Sequence, residues 1–330
     1  MHSDQHKLQL IREAIEAQLT ARSLGSRTPE GLFAPLDYTL RLGGKRLRPL
    51  LACAAAAAFT TEWQRALPVA VAVEIFHNFT LLHDDLMDRS PLRRGQETVY
   101  RRWGDNTAIL SGDAMSIEAY AALSEVEDKS LLSLLLPRFS QMALEVCVGQ
   151  QYDMEFETRT TVRVEEYMEM IRLKTSVLLG SSLELGALVG GATEEQARAL
   201  YEVGIQLGLA FQIQDDLLDV YGDEKTFGKP IGGDIINAKK TLLLLYTLEQ
   251  LKDKELAHLQ EILSFTSDER SHYINEVRAL YDQAGTRSYA ESEIARLTEA
   301  AYQGLEGLPL SEEGRTLLLT LFHTLSGRTK

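Results

Sequence analysis

Two clusters of aspartate repeat the same five-residue pattern at distant places in the chain. The first cluster is Asp84, Asp85 and Asp88 in LHDDLMDRSPLRR, and the second is Asp215, Asp216 and Asp219 in FQIQDDLLD. In each cluster the first and last aspartates are four residues apart, so on a helix their side chains project from one face. Crowded carboxylates repel one another unless a cation lies among them. The pattern therefore predicts two helix faces that bind a divalent cation.

Magnesium is the cation that this arrangement favours, because proteins usually hold Mg²⁺ through one or two carboxylates together with waters and substrate phosphates. Upstream of the clusters the same faces run through His77 and Leu81, and through Gly204 and Gly208. We interpret these faces as the lining of an apolar pocket with metal ions at its mouth. One copy of the pattern would fit a solvated helix end equally well, whereas two copies after apolar helices favour the metal site.

Basic residues occur in short groups that suit anions. They are Lys45, Arg46 and Arg48 after Gly43-Gly44, Arg93 and Arg94 after the first cluster, Lys174 in IRLKTSVLLG, and Lys229 and Lys239 beside a Gly-rich loop. Arginine binds phosphate oxygens in a bidentate manner, while lysine acts as a compact charge. Most of these groups, taken singly, are typical of a solvated surface. Lys174 is the exception, because a charge in an otherwise apolar helix needs a partner.

The composition limits the class of protein. The 330 residues carry a net charge of −14, which disfavours a bulk nucleic-acid binder. Cys53 and Cys147 lie in apolar stretches, so we expect two buried, reduced thiols. The run LLACAAAAAF is about half as long as a membrane span requires, and the N-terminal stretch lacks the pattern of a signal peptide. We therefore expect a cytoplasmic protein with no membrane span.

Helical periodicity dominates the chain, so we predict one all-α domain over residues 1–330. Thr193 and Gln196 form a capping-box sequence at the start of one helix. Residues 89–106 and 222–236, which are rich in glycine or proline, are predicted as loops. The helices are predicted over 5–22, 34–42, from Pro49 through the alanine run, from Pro68 to Asp85, 107–125, 130–157, 164–190, 194–221 and along the tail from 238.

Six ordered motifs resemble those of the trans-isoprenyl diphosphate synthases, the polyprenyl synthetase family. They run from residue 43 to residue 241 and read GGKRLRP, HNFTLLHDDLMDRSPLRRG, GQQYD, LKTS, FQIQDDLLD and GKPIGGDIINAKKT. The resemblance implies an all-α bundle with a deep central cavity (the isoprenoid synthase type I fold), about three Mg²⁺ ions and a homodimer.

The resemblance also implies roles for individual residues. The metal ligands would be Asp84, Asp88 and Asp215, with Asp85, Asp216 and Asp219 completing the motifs. The allylic diphosphate would be bound by Arg93, Lys174, Lys229 and Lys239. Isopentenyl diphosphate would be bound by Gly44, Lys45, Arg48, His77 and Arg94. The developing carbocation would be faced by oxygens of the catalytic residues Lys174, Thr175 and Gln212. Supporting roles are implied for Gln150 and Asp153.

The implied reaction ionises an allylic diphosphate, condenses it with isopentenyl diphosphate and eliminates a proton. This chemistry needs charge neutralisation on the leaving group and exclusion of water from the carbocation, but no Ser/His/Asp nucleophile. Two other functions stay open: a non-catalytic partner subunit and a terpene cyclase. Both aspartate motifs are complete, which disfavours the first, and the intact basic motifs disfavour the second.

Product length is expected to depend on the helix before Asp84, where Phe76, Phe79 and Thr80 lie eight, five and four residues upstream. The resemblance to short-chain members favours geranylgeranyl diphosphate, with farnesyl diphosphate as the alternative. The two phenylalanines are also compatible with an ordinary apolar core. If Phe79 is the floor of the product pocket, Phe79→Ala lengthens the product.

Overall fold

The computed structural model describes residues 2–22, 24–222 and 231–326, and these residues are almost entirely helical. This confirms the predicted all-α fold class. The first half of the chain forms α1 (His2–Ala21), α2 (Glu30–Arg41), α3 (Leu47–Ala57), α4 (Leu67–Met87), β1 (Leu92–Arg93), β2 (Gln96–Glu97), α5 (Val99–Trp103), α6 (Asp105–Leu123), α7 (Leu132–Thr158) and α8 (Val164–Ile171). The second half forms α9 (Val177–Gly190), α10 (Glu194–Tyr221), α11 (Gly233–Ile236), α12 (Leu242–Gln250), α13 (Asp253–Ser264), α14 (Ser267–Arg270), α15 (Ile274–Gln283), α16 (Thr286–Glu306) and α17 (Glu312–Ser326).

The predicted capping box at the start of α10 is present. The backbone N–H of Gln196 donates to the Thr193 hydroxyl at 3.2 Å, and the Gln196 side-chain oxygen accepts from the backbone N–H of Thr193 at 2.9 Å. Two donors that would otherwise be unsatisfied at the helix start are thereby paired.

The predicted loop over residues 89–106 was wrong in part, because it contains a β-hairpin and the short helix α5. Strands β1 and β2 pair antiparallel with Arg93 opposite Gln96. Arg94 and Gly95 form the two-residue turn, and both have positive φ, at +54° and +76°. Positive φ at both turn positions is typical of the type I′ turn, whose twist matches that of the flanking strands.

The helix predicted over residues 164–190 is interrupted. Residues Arg172–Ser176 form a π-helical segment between α8 and α9, so Lys174 and Thr175 lie where the usual helical hydrogen bonds are displaced by one residue. Of the loop predicted over residues 222–236, positions 223–230 lie outside the described residues, and α11 occupies part of the rest.

The chain forms two compact units, each with its own buried core. Unit 1 is drawn from residues 1–141, 181–201 and 308–321, and unit 2 from residues 142–180, 202–307 and 322–330. The single domain over residues 1–330 stays a prediction.

Close helix packing explains the alanine run of α3, in unit 1. A β-carbon added at Gly186 in α9 would lie 2.1 Å from the carbonyl oxygen of Ala52. Only small residues permit such an approach, and Cys53 is fully buried beside it. The expectation for Cys147 was wrong: this thiol is exposed. The periodicity of an apolar stretch does not reveal whether all its faces are covered.

Glycines 204 and 208, in unit 2, have a packing role that the sequence did not reveal. A β-carbon at Gly204 would lie 2.5 Å from the α-carbon of Gly180, and one at Gly208 would lie 2.5 Å from the α-carbon of Ser176. The interpretation of these two glycines as pocket lining was therefore wrong, because the adjoining backbone occupies the space beside them.

Two helical stretches are long and apolar enough to cross a membrane by length and composition, Trp63–Met87 and Lys129–Thr158. The first is mostly buried in the protein, whereas only 22% of the most apolar part of the second is buried. Both stretches are longer than the apolar run at residues 50–59. An apolar core helix passes the same test, so this is weak evidence for a membrane span.

Candidate active site

The first aspartate cluster lies at the C-terminal end of α4, in unit 1. Asp84 keeps 22% of its side chain exposed, and Asp88 caps the helix. Asp85 is buried, and its two carboxylate oxygens accept hydrogen bonds from the Nε of Arg93 at 2.8 and 2.7 Å. The same guanidinium lies 3.8 Å from Asp84. Asp85 therefore orients Arg93, and its place among the metal ligands stays a prediction.

The turn of the hairpin brings a second guanidinium to the Gly43-Gly44 segment. A β-carbon at Gly44, whose φ is +138°, would lie 2.7 Å from Nη2 of Arg94. The Nη1 of Arg48 lies 3.1 Å from Nε2 of His77. Three predicted substrate-binding segments thus come together in unit 1. Lys45, which belongs to the same segment, is exposed, and its backbone carbonyl accepts a hydrogen bond from Arg12 at 2.8 Å.

His77 is held in its neutral form by this cluster. Burial of the ring, followed by the charges of Arg48 and Arg94, lowers the pKa of His77 well below its ordinary value. Because the Arg48 guanidinium can only donate, Nε2 of His77 accepts and the ring proton lies on Nδ1. Arg48 and Arg94 supply positive charge beside the neutral His77, and this charge suits an anion.

A buried ion-pair network supports the basic segment from beneath. Arg46 has positive φ, at +51°, and its buried side chain contacts Glu74 at 2.5 Å and Glu16 at 2.7 Å. It also donates to the carbonyl oxygen of Leu40 at 2.7 Å, while Asn78 donates to Glu74 at 3.0 Å. Arg46 thus anchors the segment to α4, although in the sequence it resembles its neighbours Lys45 and Arg48.

Unit 2 contains the predicted catalytic pair and a hydrogen-bond chain that continues from it. The Thr175 hydroxyl donates to Oε1 of Gln212 at 3.1 Å, and Nε2 of Gln212 donates to Asp216 at 3.0 Å. The buried Tyr167 hydroxyl donates to the other oxygen of Asp216. Burial raises the pKa of Asp216 to about 6, against the lowering effect of these two hydrogen bonds. The sequence offered no signal for Tyr167.

Lys174 has the partner that its apolar surroundings require. Its Nζ donates to Asp153 at 2.6 Å, and Nζ of Lys239 lies 4.0 Å from the same carboxylate. Burial raises the pKa of Asp153, but the charges of Lys239 and Lys174 outweigh it and the net shift is downward. A β-carbon at Gly149 would lie 2.3 Å from the backbone nitrogen of Lys174, so the glycine of the GQQYD motif permits α7 to approach the π-helical segment.

Asp234 is a further acidic residue that the sequence analysis left outside the site. Its backbone N–H donates to Asp219 at 2.9 Å. Burial, followed by the charges of Asp216 and Asp219, raises the pKa of Asp234 to about 8. Its position directly after Gly232-Gly233, in a loop flanked by lysines, was the available signal. Asp215 is partly exposed, and Lys229 lies outside the described residues.

The predicted chain-length residues belong to a row of aromatic rings in unit 1. The centroid of the Phe79 ring lies 4.8 Å from that of His83 and 5.3 Å from that of Phe76. The Phe76 ring, which is almost completely buried, packs edge-on against Phe139 at 5.6 Å. The Thr80 hydroxyl donates to the carbonyl oxygen of His77 at 2.8 Å. Phe79 is partly exposed and Phe76 is not, so Phe79 is the better placed of the two to touch a ligand.

The acidic residues fit a magnesium site in which substrate phosphates complete the ligand shell. Across residues 2–22, 24–222 and 231–326, no three His, Cys, Asp or Glu side chains form a ready metal-binding group. Mg²⁺ commonly uses one or two carboxylates and completes its shell with substrate phosphates and water. Asp84 and Asp88 supply such a pair in unit 1. Burial, followed by repulsion from neighbouring carboxylates, raises the pKa values of Asp216 and Asp234 in unit 2, and a nearby cation would favour their charged forms.

Comparison with known protein families supports this chemistry. The sequence pattern of the polyprenyl synthetase family matches residues 29–282. The geranylgeranyl diphosphate synthase of Methanosarcina mazei is 44% identical over 223 residues, which span 67% of this chain and 69% of that protein. The geranylfarnesyl diphosphate synthase of Aeropyrum pernix is 34% identical over 312 residues, which span 92% of this chain and 96% of that protein.

Solved structures agree with the sequence comparisons. A crystal structure of a geranylgeranyl pyrophosphate synthase has 42% sequence identity and a TM-score of 0.92, covering 98% of this chain and 99% of that one. The geranylgeranyl pyrophosphate synthase of Corynebacterium glutamicum, solved with isoprenyl diphosphate and magnesium, has 27% identity and a TM-score of 0.84, covering 97% and 98% of the two chains. The motifs, the all-α fold and these similarities agree: the chain belongs to the polyprenyl synthetase family.

Proposed function

We propose that the protein is a Mg²⁺-dependent prenyltransferase that condenses isopentenyl diphosphate with an allylic diphosphate, releases diphosphate and forms geranylgeranyl diphosphate. The observation that carries the proposal is the cationic cluster of unit 1, in which Arg94 contacts Gly44 and Arg48 contacts a neutral His77. This cluster binds an anion, and the chain continues from it along α4 to Asp84 and Asp88.

In this proposal the unit 1 cluster binds isopentenyl diphosphate. Arg48 and Arg94 donate to the diphosphate oxygens, and the planar guanidinium suits two parallel hydrogen bonds to one phosphate. Lys45, which is exposed in the same segment, adds a further positive charge. The neutral His77 accepts a hydrogen bond from Arg48 and adds no positive charge that would repel its guanidinium. Arg93, held by Asp85, faces the allylic diphosphate instead.

The family resemblance assigns the acidic residues of both motifs, together with Lys174 and Lys239, to the allylic diphosphate. Bound Mg²⁺, of which the family resemblance implies about three ions, would neutralise the negative charge that develops on the leaving diphosphate. The family resemblance implies Asp84, Asp88 and Asp215 as its ligands, and in unit 2 the backbone N–H of Asp234 donates to Asp219. Lys174 and Lys239, which share Asp153, would donate to the same phosphate oxygens.

The reaction then needs dipoles rather than a nucleophile. The carbon–oxygen bond of the allylic substrate breaks, and its electron pair leaves with diphosphate. Oxygens of Thr175, Gln212 and the π-helical backbone at Lys174 stabilise the positive charge on the allylic carbon. The double bond of isopentenyl diphosphate attacks that carbon, a carbon–carbon bond forms, and the proton lost from the adduct passes to an oxygen of the departing diphosphate.

One assay tests the proposal: purified protein, Mg²⁺, isopentenyl diphosphate and allylic primers of five, ten or fifteen carbons. We expect diphosphate release with at least one primer, its loss on chelation by EDTA, and a twenty-carbon product by chromatography. Asp84→Asn and Asp215→Asn should each lower kcat by a factor of about 10² or more, whereas Asp113→Asn, an exposed aspartate of α6, should not. A protein that releases no diphosphate with any primer would refute the proposal and leave the non-catalytic subunit.

The same assay separates the remaining alternatives. A terpene cyclase would release diphosphate without consuming isopentenyl diphosphate. A farnesyl diphosphate synthase would stop at fifteen carbons, and activity like that of the Aeropyrum pernix relative would extend to twenty-five. Phe79→Ala should lengthen the products, because removal of the ring opens the floor of the proposed pocket by about a phenyl group. An unchanged product length would place the floor elsewhere.

We further propose that the protein is a homodimer in which a second copy covers α7. This helix is largely exposed although it is apolar, and Leu144 and Val148 are among its exposed side chains. Exposed apolar faces of this kind usually mark an interface. Analytical ultracentrifugation should give twice the chain mass, and Leu144→Glu should favour the monomer. A monomeric wild-type protein would contradict this proposal.

A further inference from the structure

We propose that His83 and Gly112 position the Phe79 ring, so that these two residues help to set the product length. The inference rests on the proposed prenyltransferase activity and extends it to two residues outside the predicted chain-length set. Neither residue is expected to touch the reacting atoms. They are positioning residues that act through Phe79.

The His83 ring is fixed between two helices of unit 1. It projects from α4, and its Nε2 lies 3.1 Å from the backbone carbonyl oxygen of Ile109 in α6. Because a carbonyl oxygen only accepts, Nε2 carries the proton of this hydrogen bond. The ring meets Phe79 edge to face, with centroids 4.8 Å apart and an interplanar angle of 67°. The hydrogen bond to α6 therefore fixes the surface on which Phe79 rests.

Gly112 makes room for this ring. A β-carbon at residue 112 would lie 2.1 Å from Nε2 and 2.4 Å from Cδ2 of His83, far inside van der Waals contact. Gly112 lies in the middle of α6, where glycine is unfavourable by about 1 kcal/mol relative to alanine. Its φ lies outside the left-handed region, so the conformational freedom of glycine does not account for it. The space that it leaves is occupied by the imidazole.

Ring contacts connect His83 to Phe79, the proposed floor of the product pocket. Phe79 lies between His83 and Phe76, and Phe76 is buried against Phe139. Phe76 therefore fixes the Phe79 ring on one side, and His83 fixes it on the other. A change at His83 moves Phe79, whereas a change on the solvent side of α6 leaves it in place.

A purely structural role would produce a different result. If His83 and Gly112 only packed α4 against α6, their replacement would lower stability or turnover and leave the lengths of the products unchanged. The positioning role changes the distribution of lengths per turnover. That distribution is independent of the amount of folded enzyme, so a destabilised variant still reports it.

The experiment compares His83→Ala, Gly112→Ala and the double variant in the wild-type assay, with the products resolved by chain length. We expect His83→Ala to raise the ratio of longer to twenty-carbon products about tenfold. Gly112→Ala should alter the distribution by pushing the imidazole from α6 toward Phe79. In the His83→Ala background the same change should have no effect, because the colliding ring is gone. His83→Phe retains a ring against Phe79 but loses the hydrogen bond to Ile109, so it should shift the distribution in the same direction as His83→Ala by a smaller factor.

Asp113→Asn is the matched control. Asp113 follows Gly112 in α6, lies 4.0 Å from His83 and has 58% of its side chain exposed, so its replacement should leave the product lengths unchanged. Suppose that the wild-type enzyme makes product and that His83→Ala makes products of the same lengths. This result would overturn the positioning role of His83 and leave the proposed function intact. Crystal structures of the wild type and His83→Ala give a second readout without activity: a Phe79 ring in the same position in both would also overturn it.

Discussion

The guanidinium of Arg94 lies beside Gly44, so that a β-carbon added at residue 44 would lie 2.7 Å from its Nη2. The two residues come from a helix-preceding segment and from the tip of a hairpin, fifty positions apart in the sequence (94 − 44). The type I′ turn fixes the backbone of Arg94, whereas its guanidinium is the far end of a flexible side chain and would have to shift if residue 44 carried a β-carbon. The contact therefore couples two halves of the proposed isopentenyl diphosphate site.

We predict that Gly44→Ala raises the KM for isopentenyl diphosphate about tenfold, with little change in the KM for the allylic primer. The added methyl group displaces Arg94 by about 1 Å, and displacements of this size cost up to about 10² in rate. Gly43→Ala is the matched control, because Gly43 also has positive φ, at +74°, but nothing lies within 4 Å of its added β-carbon. Equal effects of the two variants would assign the loss to backbone strain.

The ion pair between Arg46 and Glu74 should dominate the stability of the basic segment. Glu74 is 2% exposed, so Glu74→Gln leaves the Arg46 charge buried without its closest counter-charge, which costs about 3 kcal/mol. Glu16 pairs with the same guanidinium but is 46% exposed, and Glu16→Gln should cost less than about 1 kcal/mol. Urea denaturation measures both free energies of unfolding. If Glu74→Gln and Glu16→Gln lower the free energy of unfolding by similar amounts, the buried pair of Arg46 and Glu74 does not dominate the stability of this segment.

Local patterns predicted the helices and the aspartate faces, because residues four apart on a helix share a face whatever surrounds them. Contacts between elements were not predictable in this way. Arg46 is distinguished from its basic neighbours only by Glu74, which lies in another helix. The π-helical segment at Lys174 leaves the spacing of apolar residues along the helix nearly unchanged. The hairpin strands are two residues long, which is too short for an alternating pattern. Gly204 could have faced a cavity or a neighbouring backbone, and the sequence pattern is the same for both.

Asp153 should be required for catalysis although it is not expected to touch substrate. It holds Lys174 at 2.6 Å, and without this carboxylate the lysine loses its orientation in the π-helical segment. We predict that Asp153→Asn lowers kcat about tenfold or more and that Asp153→Glu restores part of the loss. Gln151→Ala is the control, because Gln151 is exposed on α7 and bonds to Glu155. Steady-state kinetics with both substrates checks this, and an unaltered kcat in Asp153→Asn would contradict it.

The depressed pKa of His77 should make the protein less stable in acid. Burial, Arg48 and Arg94 keep the folded-state pKa well below the ordinary value of about 6.5, at which the unfolded chain takes up the proton. The contribution of His77 is therefore fully present above pH 6.5 and is lost as the pH falls from there toward the folded-state pKa, by up to about 1.4 kcal/mol per pH unit.

We accordingly predict that, between pH 7.5 and pH 5.5, the wild type loses about 1 kcal/mol more of its free energy of unfolding than His77→Gln does. Glutamine still accepts a hydrogen bond from Arg48 but takes up no proton, so the variant isolates the titration from the contact. His272→Gln, at an exposed position, should retain the wild-type pH dependence. Urea denaturation at both pH values measures the difference. If His77→Gln loses as much stability as the wild type between the two pH values, His77 is not the group responsible, because the variant lacks the proton that His77 takes up on unfolding.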